Sequence, residues 1–134
     1  MKSFDPEAYA EENDFISAVV NNDGSVTIAL TQNRYQEMLN DAAKDCDAAY
    51  LELVEGTSYI TDIVRNEDFT QVIIKVIRKD YENAFDLTHI SVGYLAHIYQ
   101  VLLGNNASTD IGVIDAATGE VIYSCSFPDV LGQA

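Results

Sequence analysis

Three titratable side chains in the second half of the chain offer the clearest chemistry. Asp86 and His89 lie three residues apart, so in a helix they share one face. A carboxylate in that position can fix the tautomer of a histidine that acts as a general base or a metal ligand. His97 lies two turns further on, about 12 Å along the axis, too far to share one metal ion with His89. These are the candidate ligand-binding residues; the alternative is that they form the polar edge of a packed helix or a seam at an interface.

The sequence carries none of the familiar catalytic or cofactor motifs. It has no H-E-x-x-H, no Cys/His cluster, no G-x-S-x-G elbow and no glycine-rich phosphate loop. Cys46 and Cys125 are far apart and fall on predicted core-facing positions, which favours two free buried thiols. We therefore predict no metal, no cofactor and no catalytic residue, and a non-enzymatic protein is favoured over an enzyme.

A long helix over residues 80–103 is predicted to position the three candidate ligands. Apolar residues recur there at the three-then-four spacing of a helix. A second apolar set falls on the far side of the same helix: Leu87, Ile90, Tyr94, Ile98 and Val101. Only a narrow polar stripe remains: Glu82, Asp86, His89, Gly93, His97 and Gln100. A helix that is apolar nearly all round is normally covered on both sides.

The other elements follow from turn, cap and strand patterns. The sequence predicts a short helix over 6–12, strands over 15–20 and 25–31, a helix over 34–54, strands over 59–64 and 72–78, and a final hairpin over 110–115 and 120–127. Asn33 is placed to cap the helix over 34–54, with Gln36 three residues on.

A β-β-α unit is predicted to occur twice, over 15–55 and 59–104. Residues 59–64 (YITDIV) echo residues 15–20 (FISAVV), and the helix positions match as well. Chance similarity between two strand-rich stretches is the alternative. The predicted fold is one α+β domain over 1–134: an antiparallel sheet of about six strands with two long helices on one face.

The net charge of the chain limits the classes of partner that it can bind. Twenty-two acidic residues against seven basic ones leave a formal net charge of -15. Nucleic acids and anionic membranes are recognised by clustered Lys and Arg, so we expect neither as a partner. The opening residues lack the apolar core of a secretory signal, and no apolar run approaches about eighteen residues, so we expect a soluble, cytoplasmic protein.

Such charge either keeps the protein soluble or attracts a basic partner. The candidate contact is the acidic face of the first long helix: Glu37, Asp41, Asp45 and Glu52.

The chain also carries more apolar surface than a two-layer fold can cover. In the second repeat the outward strand positions Ile73 and Ile77 are apolar, as is the far side of the 80–103 helix. A homodimer interface, which typically buries roughly 800 Å² per partner, would cover this surface. A pocket for an apolar ligand is the alternative.

Three functional hypotheses follow from these observations. The first is a non-enzymatic interaction module, a homodimer that acts as an adaptor or inhibitor of a basic protein. The second is a small-molecule binder or enzyme with a pocket lined by the 80–103 helix and its residues Asp86, His89 and His97. The third is an inhibitor that imitates DNA, with carboxylates spaced like phosphates.

Overall fold

The computed structural model describes residues 4–132, which form an α+β protein with six strands in two separate sheets. The helices are α1 (Pro6–Glu12), α2 (Gln32–Gly56), α3 (Arg78–Glu82) and α4 (Thr88–Leu103), and a 3-10 turn covers Asp129–Gly132. The strands are β1 (Ser17–Val20), β2 (Val26–Ala29), β3 (Ile60–Arg65), β4 (Gln71–Val76), β5 (Thr109–Asp115) and β6 (Val121–Phe127). The chain divides into two compact units, an N-terminal unit that ends at Asp41 and a C-terminal unit that begins at Ala42.

The N-terminal unit contains α1 and the β1–β2 hairpin. Asp5 begins α1 as an N-cap, because its carboxylate accepts hydrogen bonds from the amides of Glu7 (3.1 Å) and Ala8 (3.3 Å). β1 and β2 pair antiparallel, with Ser17 opposite Ala29. Their turn closes through Gly24, whose φ of 88° favours glycine. The short helix has the predicted bounds, whereas both strands of the first hairpin are shorter than the predicted 15–20 and 25–31.

The C-terminal unit contains a four-stranded sheet in the order β3-β4-β5-β6, and β4 and β5 run parallel. The prediction of one antiparallel sheet of about six strands is wrong, although both hairpins of this sheet, β3–β4 and β5–β6, are antiparallel. Turn residues specify only the pairing of neighbouring strands. The long connection through α3 and α4 turns the chain back, which makes a parallel pair possible.

The predicted helix over 80–103 is two helices, α3 and α4, with a break over 83–87. Asn83 donates its side-chain amide to the carbonyl of Lys79 (2.9 Å), and Asp86 accepts the amide of Thr88 (2.9 Å). Asn and Asp side chains compete with helical hydrogen bonds in this way and so favour helix ends.

The start of α2 also differs from the sequence prediction. Thr31 accepts the amide of Arg34 with its hydroxyl (3.1 Å), so Thr31 acts as the capping residue in place of Asn33.

One face of the four-stranded sheet forms the core of the C-terminal unit. Side chains of α2 and α4 are buried with it in one cluster: Cys46, Tyr50, Ile60, Phe69, Val72, Ile74, Val76, Val92, Ala96, Ile111, Val113 and Phe127. Within it, Tyr50 donates its hydroxyl to the carbonyl of Val92 (3.0 Å), and the Cys46 thiol lies 3.3 Å from the carbonyl of Leu95. These bonds fix the position of α4 relative to α2.

A buried polar network holds the β3–β4 turn against the far end of α4. Phe69 is fully buried with a φ of 61°, a conformation that is unfavourable for a bulky residue. Its carbonyl accepts hydrogen bonds from Gln100 (2.8 Å) and Thr109 (2.9 Å), and Gln100 also accepts the amide of Ser108 (2.8 Å). Arg65 lies over the Phe69 ring at 4.3 Å. Several elements thus stabilise the strained residue.

Replacing Gly93 by alanine should destabilise the protein. A Cβ at Gly93 would overlap ring atoms Cγ and Cδ2 of Phe127 and lie 2.8 Å from its Cβ. We expect a loss of about 1–3 kcal/mol in the free energy of unfolding, measured by urea denaturation. Gly112→Ala is the matched control, because a Cβ there meets nothing within 4 Å and the change should stay within about 0.5 kcal/mol. Equal losses for both variants would contradict the close packing of α4 against β6.

Candidate functional site

The polar stripe of α4 faces the sheet rather than solvent. Gly93 and Gln100 are buried, and His89 and His97 are half-buried. The His89 ring packs edge-on against Tyr123, with centroids 5.1 Å apart. The His97 ring packs in the same way against Phe127, at 5.9 Å. Both histidines therefore lie against aromatic residues of β6.

Asp86 joins the start of α4 to the segment that leads into β3. Its carboxylate accepts hydrogen bonds from the amide and the hydroxyl of Thr88, each at 2.9 Å. It also accepts a short hydrogen bond from the hydroxyl of Tyr59. The Tyr59 ring in turn packs against Tyr81, with centroids 6.1 Å apart. The carboxylate that the sequence marked as a histidine partner serves here as a structural anchor.

The two histidines pack against aromatic rings, and each leaves one ring nitrogen without a hydrogen bond. In residues 4–132, Nδ1 of His89 and of His97 is buried and has no hydrogen-bond partner. Burial lowers the pKa of His89, and the nearby charge of Asp86 opposes this only in part. Burial thus favours the neutral form of His89. The structure brings Asp86 close to His89 but directs its hydrogen bonds to Tyr59 and Thr88.

In residues 4–132, no group of three or more His, Cys, Asp or Glu residues could hold a metal ion. Burial raises the thiol pKa of both Cys46 and Cys125, which disfavours the reactive thiolate form. Over the same residues, no helix combines the length and the apolar character needed to cross a membrane.

The outward face of α4 is apolar and exposed. Its side chains retain about half or more of their accessible surface: Leu87 54%, Tyr94 51%, Ile98 60% and Val101 58%. Ile90 is half-buried at the edge of this face. No Asp, Glu, Lys or Arg occurs in the sixteen residues of the helix. We call Leu87, Ile90, Tyr94, Ile98 and Val101 the α4 face.

The other two predicted interface residues, Ile73 and Ile77, are not part of the α4 face. Ile73 alternates with the buried Val72 and Ile74, so it points to the side of the sheet away from α4. It contributes to a shallow depression of about 480 Å³ over Gly112. Ile77, just beyond the end of β4, is also exposed. The structure thus divides the predicted interface residues between two surfaces.

The four predicted partner-binding acids all lie on α2 and are all exposed: Glu37, Asp41, Asp45 and Glu52. Glu37 forms an ion pair with Arg34 at 3.4 Å, which at this exposure contributes little to stability. Asp47, which the sequence did not single out, instead forms a two-point ion pair with Arg65, at 2.7 and 3.0 Å.

Sequence reasoning missed Tyr59, Gly93 and Gln100 as determinants of this region. Tyr59 reaches Asp86 across 27 residues of chain, and no local pattern records such a contact. For Gly93, the available signal was a glycine inside an otherwise regular helix, which often marks close packing.

Comparison of this chain with protein-family models, with curated proteins and with solved structures finds no significant match. The function must therefore be inferred from the residues themselves.

Removing the charge of Asp86 should lower the pKa of Tyr59. Burial, the hydrogen bond to Asp86 and the charge of Asp86 raise the pKa of Tyr59 to about 12 in the folded protein. A tyrosine in the unfolded chain titrates near pH 10, so this contribution to stability is complete below about pH 10 and is lost as the pH rises through about 12. In Asp86→Asn the Tyr59 pKa should move back toward 10, as measured by NMR of ring-labelled tyrosine.

The Tyr59→Phe variant identifies the Tyr59 resonance, because that signal is missing from its spectrum. Asp80→Asn, a change at an exposed acid of α3, should leave the Tyr59 pKa in place. A Tyr59 resonance that titrates at an ordinary tyrosine pKa in the unmodified protein would contradict the hydrogen bond to Asp86.

Proposed function

We propose that this chain is a non-enzymatic interaction module that forms a homodimer through the α4 face and acts as an adaptor or inhibitor of a basic protein. The observation that carries the dimer is the exposed, uncharged α4 face on a chain with a net charge of -15. Exposed apolar side chains grouped on one face are typical of interaction sites.

Electrostatics support a second copy as the occupant of the α4 face. Two copies of an acidic chain repel each other, and contact through their charged surfaces would bring like charges together. Contact through α4 avoids this, because the helix contributes no charge to the interface. A basic partner would find no carboxylate on α4 to pair with.

The spacing of the residues suits a twofold arrangement of two antiparallel α4 helices. In a twofold interface each copy contributes the same surface. A twofold axis that crosses the α4 face midway between Tyr94 and Ile98 would place Tyr94 of one copy opposite Ile98 of the other, and Ser91 opposite Val101. Burial of these side chains would stabilise the dimer at roughly 25 cal/mol per Å² of apolar surface removed from water.

We propose a basic partner because the outer side of α2 is acidic. The exposed acids Glu37, Asp41, Asp45 and Glu52 would lie at the contact, as exposed carboxylates of α2. Complementary charge accelerates association and selects against partners of the wrong sign. The dimer would present two such acidic surfaces to its target.

Introducing charge into the α4 face should separate the dimer. In Tyr94→Glu/Ile98→Glu, four carboxylates would enter the interface of each dimer, and we expect the dimer dissociation constant to rise on the order of a hundredfold. Light scattering over a concentration series measures the change, and circular dichroism checks that the variant is folded.

Leu51→Glu is the matched control for this experiment. Leu51 is 55% exposed on α2, outside the proposed interface, so the same kind of substitution there should leave the dimer in place. A monomeric wild-type chain at every concentration, or equal dissociation of both variants, would contradict the proposed interface.

A further inference from the structure

The N-terminal unit contains a groove whose surface is partly apolar. It is open, has a volume of about 590 Å³ and lies between α1 and the segment that leads into β1. Its apolar lining comprises Ala10, Phe15, Ile16 and Ala18. Ala10 is buried and Phe15 is half-buried, whereas Ile16 retains 68% of its accessible surface. A groove of this volume is within the usual range for binding sites.

An extended chain segment suits the shape of this groove. β1 and β2 form a two-stranded sheet, so within residues 4–132 each of them has one edge that pairs with no other strand. The amide of Phe15 already joins this sheet to α1 through the carbonyl of Ala10, and a third strand on a free edge would stabilise the two-stranded sheet further. Exposed Ile16 at the entry to β1 offers such a segment an apolar contact.

The charge around the groove determines which segment fits. Glu7, Glu11 and Asp14 also line it and are exposed. Residues 4–33 contain six acidic residues and no Lys, Arg or His. One positive charge borders the groove at Arg34, which lies 5.9 Å from the centroid of the Phe15 ring, donates to the carbonyl of Asn13 and forms an ion pair with Glu37. The three groove carboxylates therefore outnumber the basic group beside them. An apolar occupant with positive side chains would therefore be favoured over a neutral or acidic one.

The spacing of the acids matches an alternating sequence. Glu7 and Glu11 lie one helical turn apart on the same face of α1, about 6 Å along the axis. Alternate side chains of an extended segment lie about 6.6–6.8 Å apart on one side. Two basic residues separated by one apolar residue would meet both carboxylates, while the apolar residue would point to the other side.

We infer that this groove binds an extended segment of a partner protein in which basic and apolar residues alternate. The inference rests on the basic-partner part of the proposed function and adds a contact surface to it. It does not depend on the dimer. The groove lies wholly within the N-terminal unit, so its recognition chemistry is separate from the α4 face.

Binding of defined peptides to the full chain tests this inference. The probe is a labelled ten-residue peptide that alternates Lys and Val; the comparison peptide has five Lys followed by five Val. The groove variant is Glu7→Gln/Glu11→Gln/Asp14→Asn. Asparagine is chosen at position 14 because it tolerates the left-handed conformation of Asp14, whose φ is 57°. The α2 variant, Asp41→Asn/Asp45→Asn/Glu52→Gln, removes the same number of charges.

Fluorescence anisotropy should show that the alternating peptide binds at least tenfold more weakly to the groove variant than to wild type. The α2 variant should weaken it less than threefold, and the block peptide should bind wild type more weakly than the alternating one. Amide chemical-shift changes should be centred on residues 14–18.

The remaining outcomes would contradict peptide binding in the groove, and they distinguish this failure from failure of the proposed function. Equal weakening in both variants would mean that only overall charge matters, and the groove would be rejected while a basic partner stands. Loss of binding in the α2 variant alone would assign the contact to α2. If neither peptide binds wild type, both the groove and the basic partner are rejected, and the dimer is judged by its own measurement.

Discussion

The contact between Gly93 and Phe127 determines how α4 lies on its sheet. A glycine in the middle of the helix lets the phenyl ring approach the helix backbone, where any side chain would overlap it. This approach directs the stripe that carries His89, His97 and Gln100 toward the sheet. The apolar α4 face stays largely exposed, with one edge of it, the Tyr94 ring, packed against Phe127 at 4.9 Å. The same contact therefore sets both the packing of the core and the chemistry of the exposed surface.

Polar contacts at the two ends of α4 hold this orientation. At the start of the helix Asp86 binds Thr88 and Tyr59, and near its end Gln100 binds Phe69, Thr109 and Ser108. Buried polar groups are costly unless they are paired, so each of these bonds disfavours a rotated helix. The apolar α4 face thus belongs to a helix whose other side is held by directional bonds.

The exposed apolar residues of α4 differ from the rest of the surface because they carry no charge. A protein with a net charge of -15 resists association with its own kind, except where its surface lacks charge. The α4 face is such a surface, whereas residues 4–33 and the outer side of α2 concentrate carboxylates. The uncharged surface and the acidic surfaces of this protein thus lie on different elements.

Much of the element order could be predicted from the sequence, because turns, caps and side-chain periodicity act within a few residues. The short helix over 6–12, the antiparallel hairpins and the apolar set at Leu87, Tyr94, Ile98 and Val101 are of this kind. The break between α3 and α4 was missed, although Asn83 and Asp86 are the local residues that cause it. Their side chains form hydrogen bonds to the backbone of Lys79 and Thr88, and the residue pattern does not show whether these bonds or a continuous helix is the more stable.

By itself the sequence determined the α+β class, the local antiparallel hairpins, the acidic charge and the surplus of apolar residues. Only the tertiary structure decided that β4 and β5 run parallel, that the β1–β2 hairpin forms its own sheet, and that the polar stripe of α4 turns inward. It also decided that Asp86 bonds to Tyr59 rather than orienting His89. These features depend on contacts between residues far apart in the chain. Each contact contributes little energy, and the arrangement is fixed only when the whole core packs.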